Sequence, residues 1–269
     1  MSGWDRASPG YLAEWQPNFG PYEADLASEL GLREGDSVLT TAGFEALALA
    51  RGVGETGKVL ACDASDDVLV LCKERVEAAG LASRLSTSRE PSGGPFHAAV
   101  SAFSLMQSSD PVAALRNLGE MIRPDGKVGV IVWGPATDGD PERAFAKIID
   151  ELHPEIRATE DLAGLDRASL ASLFERAKLA VVRHTIVMHP LVFQRAERFA
   201  MSLLAARTYG PKLVARGEQQ VAAALARFYE RVATQDAPVS YSPAATIVIA
   251  AHPGAEVELP HRPSVRVPT

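Results

Sequence analysis

Apolar positions along this chain follow two periods in turn. Runs of strand length occur at S-V-L-T-T (37–41), K-V-L-A-C (58–62), H-A-A-V-S-A-F (97–103) and K-V-G-V-I-V-W (127–133). The last is nearly continuous, as expected of a strand covered on both faces. R-L-S-T-S (84–88) predicts a weaker strand. Helical patterns lie between these runs. Residues 44–52 predict a helix ended by Gly52. Residues 65–79 place Val68, Leu69, Leu71, Cys72 and Val76 at helical spacing, with Gly80 just beyond. Asp110-Pro111 opens a predicted helix to residue 123, with Asp110 as N-cap and Pro111 at the first helical position. Strand alternating with helix predicts an α/β fold with a parallel, doubly wound sheet.

After Trp133 the pattern changes. Helices are predicted at 141–152, 167–178, 192–208 and 213–234, and strands at 179–188 and 244–251, before a Pro-rich tail. No linker divides the halves, so residues 1–269 are read as a single domain. Its expected parts are N-terminal lid helices (1–35), a Rossmann-like core (36–135), cap inserts (136–166 and 190–236), and segments that complete the sheet (167–189 and 240–253).

Composition narrows the function classes. The chain is 46% hydrophobic and 23% charged, with a net charge of −7. No basic run offers a footprint for nucleic acid. No apolar stretch approaches the ~20 residues that span a bilayer, and the start M-S-G-W-D-R has no signal-like apolar region. Cys62 and Cys72 form neither a metal spacing nor a disulfide framework and are read as core residues, which fits a cytoplasmic protein. Six scattered histidines include no ligand cluster, so no metal site is expected. A small apolar molecule is the expected partner, and a homodimer is compatible with the sequence.

Four stretches together carry a resemblance: L-G-L-R-E-G-D-S-V-L, V-L-A-C-D-A-S (59–65), P-F-H-A-A-V-S-A-F-S-L-M (95–106), and D-P-V-A-A-L-R-N-L-G-E-M-I-R-P-D-G-K-V-G-V-I-V-W-G-P (110–135). In these the chain resembles class I S-adenosylmethionine (SAM) dependent methyltransferases of the ubiquinone/menaquinone-biosynthesis type, from Trp4 to about Pro253. The resemblance implies a doubly wound, seven-stranded Rossmann-like sheet with a helical cap. It also implies a SAM site at the first strand, built on a D-x-G-x-G-x-G turn whose glycines let the backbone pass under the methionine and ribose.

The turn in this chain, V-L-T-T-A-G-F-E-A (38–46), departs from that pattern. Thr40 stands at the acidic position, and Ala42, Phe44 and Ala46 stand at the glycine positions; Gly43 survives one place out of register. Phe44 puts an aromatic ring where relatives have bare backbone. Glu45 brings a carboxylate into the pocket or, on the reading preferred here, points to solvent from the first helical turn. Asp63 matches the acid that holds the ribose hydroxyls, with an N-cap as the alternative. The acid that pairs with adenine is missing, and only Ser88 or Glu90 stands near its place. His97 begins its strand, at the end opposite to ligand sites in such sheets, and is read as structural.

Phe103, Met106, Gln107 and Trp133 are expected at the ligand end, with ordinary core packing as the alternative for Phe103 and Met106. Tyr11, Trp15, Phe19 and Tyr22 form an aromatic cluster read either as a lid over the ligand or as plain packing, and His153 is either a substrate-facing group or a surface histidine. The expected site is therefore Glu45, His153 and Gln107 as acid–base candidates, Asp63 and Gly43 toward a cofactor, and Phe44, Phe103, Met106, Trp133 and Trp15 toward substrate. Three functions compete: a non-methylating cyclase, lyase or isomerase of small-molecule biosynthesis, needing no cofactor; a working SAM methyltransferase; and a non-catalytic partner subunit. The first is preferred on the altered turn. A nicotinamide-dependent reductase ranks last, because its G-x-G-x-x-G turn is absent.

Overall fold

A computed structural model describes residues 3–41, 43–137, 139–156, 165–206 and 209–260, without the side chains of 3–13, 107, 205 and 206. The expected strands form one seven-stranded sheet. Its members are β1 (Ser37–Thr41), β2 (Lys58–Cys62), β3 (Leu85–Ser88), β4 (Phe96–Ala102), β5 (Ile122–Trp133), β6 (Ala180–Met188) and β9 (Ala244–Ala251), in the order β3-β2-β1-β4-β5-β9-β6. β3, β2, β1, β4 and β5 run parallel, with Val38 opposite both Val59 and Ala98. The chain leaves β1 toward β2 on one side, while β4 lies on the other. The topological switch point therefore falls between β1 and β4.

The helices are α1 (Gly3–Leu30), α2 (Ala46–Gly52), α3 (Asp66–Ala78), α4 (Pro111–Glu120), α5 (Pro141–Leu152), α6 (Arg167–Arg176), α7 (Ala196–Ala206), α8 (Tyr209–Val214) and α9 (Glu218–Arg231). Asp110 caps α4 as expected: its Oδ1 accepts from the Ala113 amide at 2.9 Å. Three expectations shift. α2 begins at Ala46, so Phe44 and Glu45 belong to the turn. The helix expected over 213–234 is two, because Gly217, at φ +102°, breaks it. A small antiparallel sheet of β7 (Leu191–Phe193) and β8 (Val239–Tyr241) had no sequence signal, each strand being three residues long. No described helix is long and apolar enough to cross a membrane.

The chain divides into two compact units, each assembled from three segments. One comprises Met1–Tyr22, Val132–Asp166 and Ile186–Thr246. Its core is aromatic. Trp15 packs edge-on against Phe193 at 4.9 Å and donates its indole N–H to Ser202 Oγ at 2.7 Å. Trp133 lies 5.3 Å from Tyr22 and 5.9 Å from Phe19 between ring centroids. Tyr22 donates its hydroxyl to the carbonyl of His189 or Pro243, both at 2.8 Å.

The other unit comprises Glu23–Ile131, Arg167–Thr185 and Ile247–Thr269. It contains β1 to β4 with α2, α3 and α4. The end of α1 seats directly on β5, where a Cβ on Gly129 would lie 2.9 Å from Leu30 and 3.3 Å from Leu26. At the amino end of the sheet, the Ser37 amide donates to His97 Nδ1 at 3.0 Å, and Nε2 faces Asp36 at 3.6 Å. His97 thus ties two strands together at the end away from ligands, as its strand position implied.

Gly129→Ala is expected to lower stability by about 1–3 kcal/mol through overpacking, measured by urea unfolding. A neutral result would mean that α1 moves off β5 without cost.

Candidate active site

Ligands of open α/β sheets bind outside the carboxyl ends of the strands, at the switch point. Here that place is the gap between the ends of β1 and β4. A protein side chain reaches it. Glu45, fully buried, accepts at Oε1 from the Thr40 hydroxyl at the end of β1 and from the Ala102 amide at the end of β4, at 3.2 Å to the latter. Its Oε2 is buried without a hydrogen-bond partner. Burial pushes the Glu45 carboxyl up to about 7, against the lowering effect of the Thr40 hydrogen bond. The expectation of a solvent-facing Glu45 is therefore corrected. Because α2 starts one residue later, the side chain turns under the loop and does not project from a helical turn.

The neighbouring groups belong to the same unit. Glu23 on α1 is 2% exposed, its Oε2 lies 3.8 Å from Arg75 Nη2, and its Oε1 has no partner. Burial pushes Glu23 up to about 8; Arg75 opposes the shift and Glu45 adds to it. Arg75 also donates Nη1 to the Phe44 carbonyl at 2.9 Å. Cys72, buried on α3, has its thiol pushed up to about 12, chiefly by burial and then by Glu45. Asp63 at the end of β2 accepts from the Ser65 amide at 2.8 Å, just before α3, and burial raises its carboxyl as well.

The turn itself is not bare backbone. Gly43 has φ +72°, a left-handed conformation, and a Cβ there would only touch Cys72 and Val68 at 3.6–3.7 Å. It is glycine for its backbone angle more than for space. Phe44 is half-buried. On the β4 side, Phe103 is 7% exposed at φ +57°, a strained conformation for a bulky residue costing on the order of 1–3 kcal/mol. It is held there by its amide on the Ile131 carbonyl at 2.9 Å, and by the next residue, Ser104, whose hydroxyl donates to the Thr41 carbonyl at 2.8 Å.

Of the expected site residues, Gly43, Phe44, Glu45, Asp63, Phe103 and Met106 fall in this unit, and Met106 is half-buried. Trp15, Trp133 and His153 fall in the other. His153 ends α5 and is 8% exposed, which corrects the surface reading; its Nδ1 faces Glu155 at 3.6 Å and its Nε2 is unpartnered. The side chains of Gln107 and Tyr11 lie outside the described residues. No group of three or more metal-ligating side chains occurs among the described residues. Sequence reasoning missed Glu23 and Arg75. Glu23 had a legible signal, since it continues the buried stripe of Phe19, Tyr22, Leu26 and Leu30 at helical spacing.

No protein-family model matches the sequence, and no curated protein does. Solved structures do match in fold. A cyclopropane-fatty-acyl-phospholipid synthase-like protein from Lactobacillus casei is 17% identical, with a TM-score of 0.58 over 88% of this chain and 91% of its own. The [4+2]-cyclase SpnF is 20% identical, with a TM-score of 0.55 over 90% and 85%. A SAM-dependent methyltransferase from Aquifex aeolicus is 20% identical, with a TM-score of 0.50 over 66% and 91%. The fold is that of the methyltransferases.

A carboxyl raised in the folded state stabilises the protein below its unfolded value of 4.5 and loses that contribution as pH rises through about 7. Stability is therefore expected to fall between pH 5 and pH 8. Glu45→Gln should flatten the fall and leave the variant about 1–3 kcal/mol more stable than wild type at pH 8. Urea unfolding at both pH values checks this; equal slopes would place the Glu45 carboxyl in water.

Proposed function

We propose that the protein is an enzyme that uses the methyltransferase architecture without methyl transfer. It acts on a small, largely apolar molecule by cyclisation, elimination or rearrangement. The observation that carries this reading is the Glu45 carboxylate between the ends of β1 and β4. A SAM site there needs backbone alone along the turn, to admit the methionine tail that would supply the methyl group. In this chain a side chain occupies that level, held from both strands, and the glycine positions carry Phe44 and Ala46. These residues do not fit SAM.

They do suit proton transfer. A group titrating near neutrality is well placed as a general acid or base, and such a group contributes about 10²–10⁴-fold in rate. Glu45 would give or take a proton through Oε2, while Thr40 and Ala102 hold Oε1. Phe44, Phe103 and Met106 supply apolar surface beside it. Fixing a flexible substrate in its reactive conformer supplies up to roughly 7–11 kcal/mol in favourable cases. Cyclisation and rearrangement need little else, since no group is transferred. The fold shared with a [4+2]-cyclase supports this class of reaction. Trp15, Trp133 and His153 are not needed for it.

A second reading, SAM-dependent methyl transfer on a small molecule, has one observation in its favour. Glu45 rests on the hydroxyl of Thr40, so it delivers a carboxylate where the family's turn carries its acid. Calorimetry with SAM and S-adenosylhomocysteine separates the two readings. No heat of binding is expected for either compound, and micromolar affinity would establish the second. Replacing Ala42, Phe44 and Ala46 together by Gly is expected to improve SAM binding if side-chain bulk is the obstacle; no gain would locate it in the path of the loop.

A further inference from the structure

We propose that Glu23 and Glu45 form one coupled pair that retains a single proton at neutral pH, with Glu23 as the positioning residue that fixes the protonation of Glu45. The proposal rests on the reading of Glu45 as the acid–base group. The geometry is a bridge. Arg75 faces Glu23 with Nη2 and donates Nη1 to the carbonyl of Phe44, the residue before Glu45. The α1 carboxyl and the turn carboxyl thus share one guanidinium. Each keeps an oxygen that is buried and without a partner. One guanidinium balances one carboxylate. A second ionised carboxylate out of water would stand unbalanced, so the second carboxyl keeps its proton.

The groups around the pair leave that balance in place. From β1 comes the Thr40 hydroxyl, and from β4 the Ala102 amide, both on Glu45. From the end of β2 comes Asp63, an acid that further disfavours ionisation of Glu45. From α3 come Arg75 and Cys72, whose thiol stays neutral at this pH. Such a pair titrates as a unit, and its two steps belong to neither residue alone.

Chemistry follows from the shared proton. Transfer to a substrate atom breaks the Glu45 O–H bond and leaves its electron pair on the carboxylate. Both carboxyls are then ionised beside one guanidinium. That state is unfavourable, so Glu45 recovers a proton as the product forms. Donor and base are the same group in successive states, and no oxidant or reductant takes part. Glu23 lies on a different element and acts through Arg75 and through its charge.

The test is a pH titration of the protonated-carboxyl stretch by infrared spectroscopy on the whole chain, in wild type, Glu23→Gln and Glu45→Gln. Wild type is expected to hold one buried protonated carboxyl at pH 7 and to lose the pair's protons in two separated steps. Glu23→Gln should move the midpoint of the remaining carboxyl, Glu45, down by about one unit, roughly tenfold in proton affinity. Glu23→Asp should restore part of the shift. An unchanged midpoint in Glu23→Gln overturns the pairing, as does a wild-type protein with no protonated carboxyl at pH 7. If Glu23→Gln does not fold, the wild-type titration decides: two steps support the pair and a single joint step removes it. SAM calorimetry reports on the function reading separately, so either can fail while the other stands.

Discussion

A carboxylate taken out of water must be matched by charge, by donors or by a proton, because desolvating an ion costs several kcal/mol. That constraint organises the carboxyl end of this sheet. Glu45 meets it in part, with two donors on one oxygen. Glu23 meets it in part, with Arg75 beside it. Neither is fully matched, and what remains is electrostatic stress at the switch point between β1 and β4. Stability alone would be better served there by apolar side chains. A retained, incompletely satisfied acid is the usual mark of a site with work to do.

The rest of the unit supports that arrangement. His97 locks the opposite end of the sheet through the Ser37 amide and Asp36. Gly129 lets the end of α1 lie flat on β5, which fixes the rotation of that helix and hence the inward direction of Glu23. Phe103, held at positive φ, sits next to the Ala102 amide that Glu45 uses. Its strain and the acid are neighbours in sequence and in space. Strain of this kind persists only where surrounding bonds over-determine it, as the Ile131 and Thr41 carbonyls do here.

Much of this fold was legible in the sequence because its signals are periodic. The strands at 37–41, 58–62 and 244–251 needed only apolar runs, and Asp110-Pro111 announced its helix by capping chemistry. The break at Gly217 and the three-residue strands β7 and β8 fell below what periodicity can resolve. The site was less legible. Glu45 could be named from its place in the altered turn, yet its direction depended on whether α2 began at residue 44 or 46, and two residues of helix decide between water and core. Glu23 was an acid in an apolar stripe. Its meaning lay in Arg75, 52 positions away in the chain (75 − 23), and no local pattern joins them.

The start of α2 carries one more consequence. Glu45 is aimed by the residue at which helical winding begins, and each added residue turns a helix by about 100°. The loop from Gly43 to Glu45 therefore tolerates changes of side chain better than changes of length. A lineage could exchange Phe44 for many residues and keep the carboxylate in place. A single codon gained or lost in that stretch would swing the acid out of the gap between the strands in one generation. Descendants of this gene that keep the acid should therefore keep the spacing between Thr40 and Glu45 even where the letters between them drift.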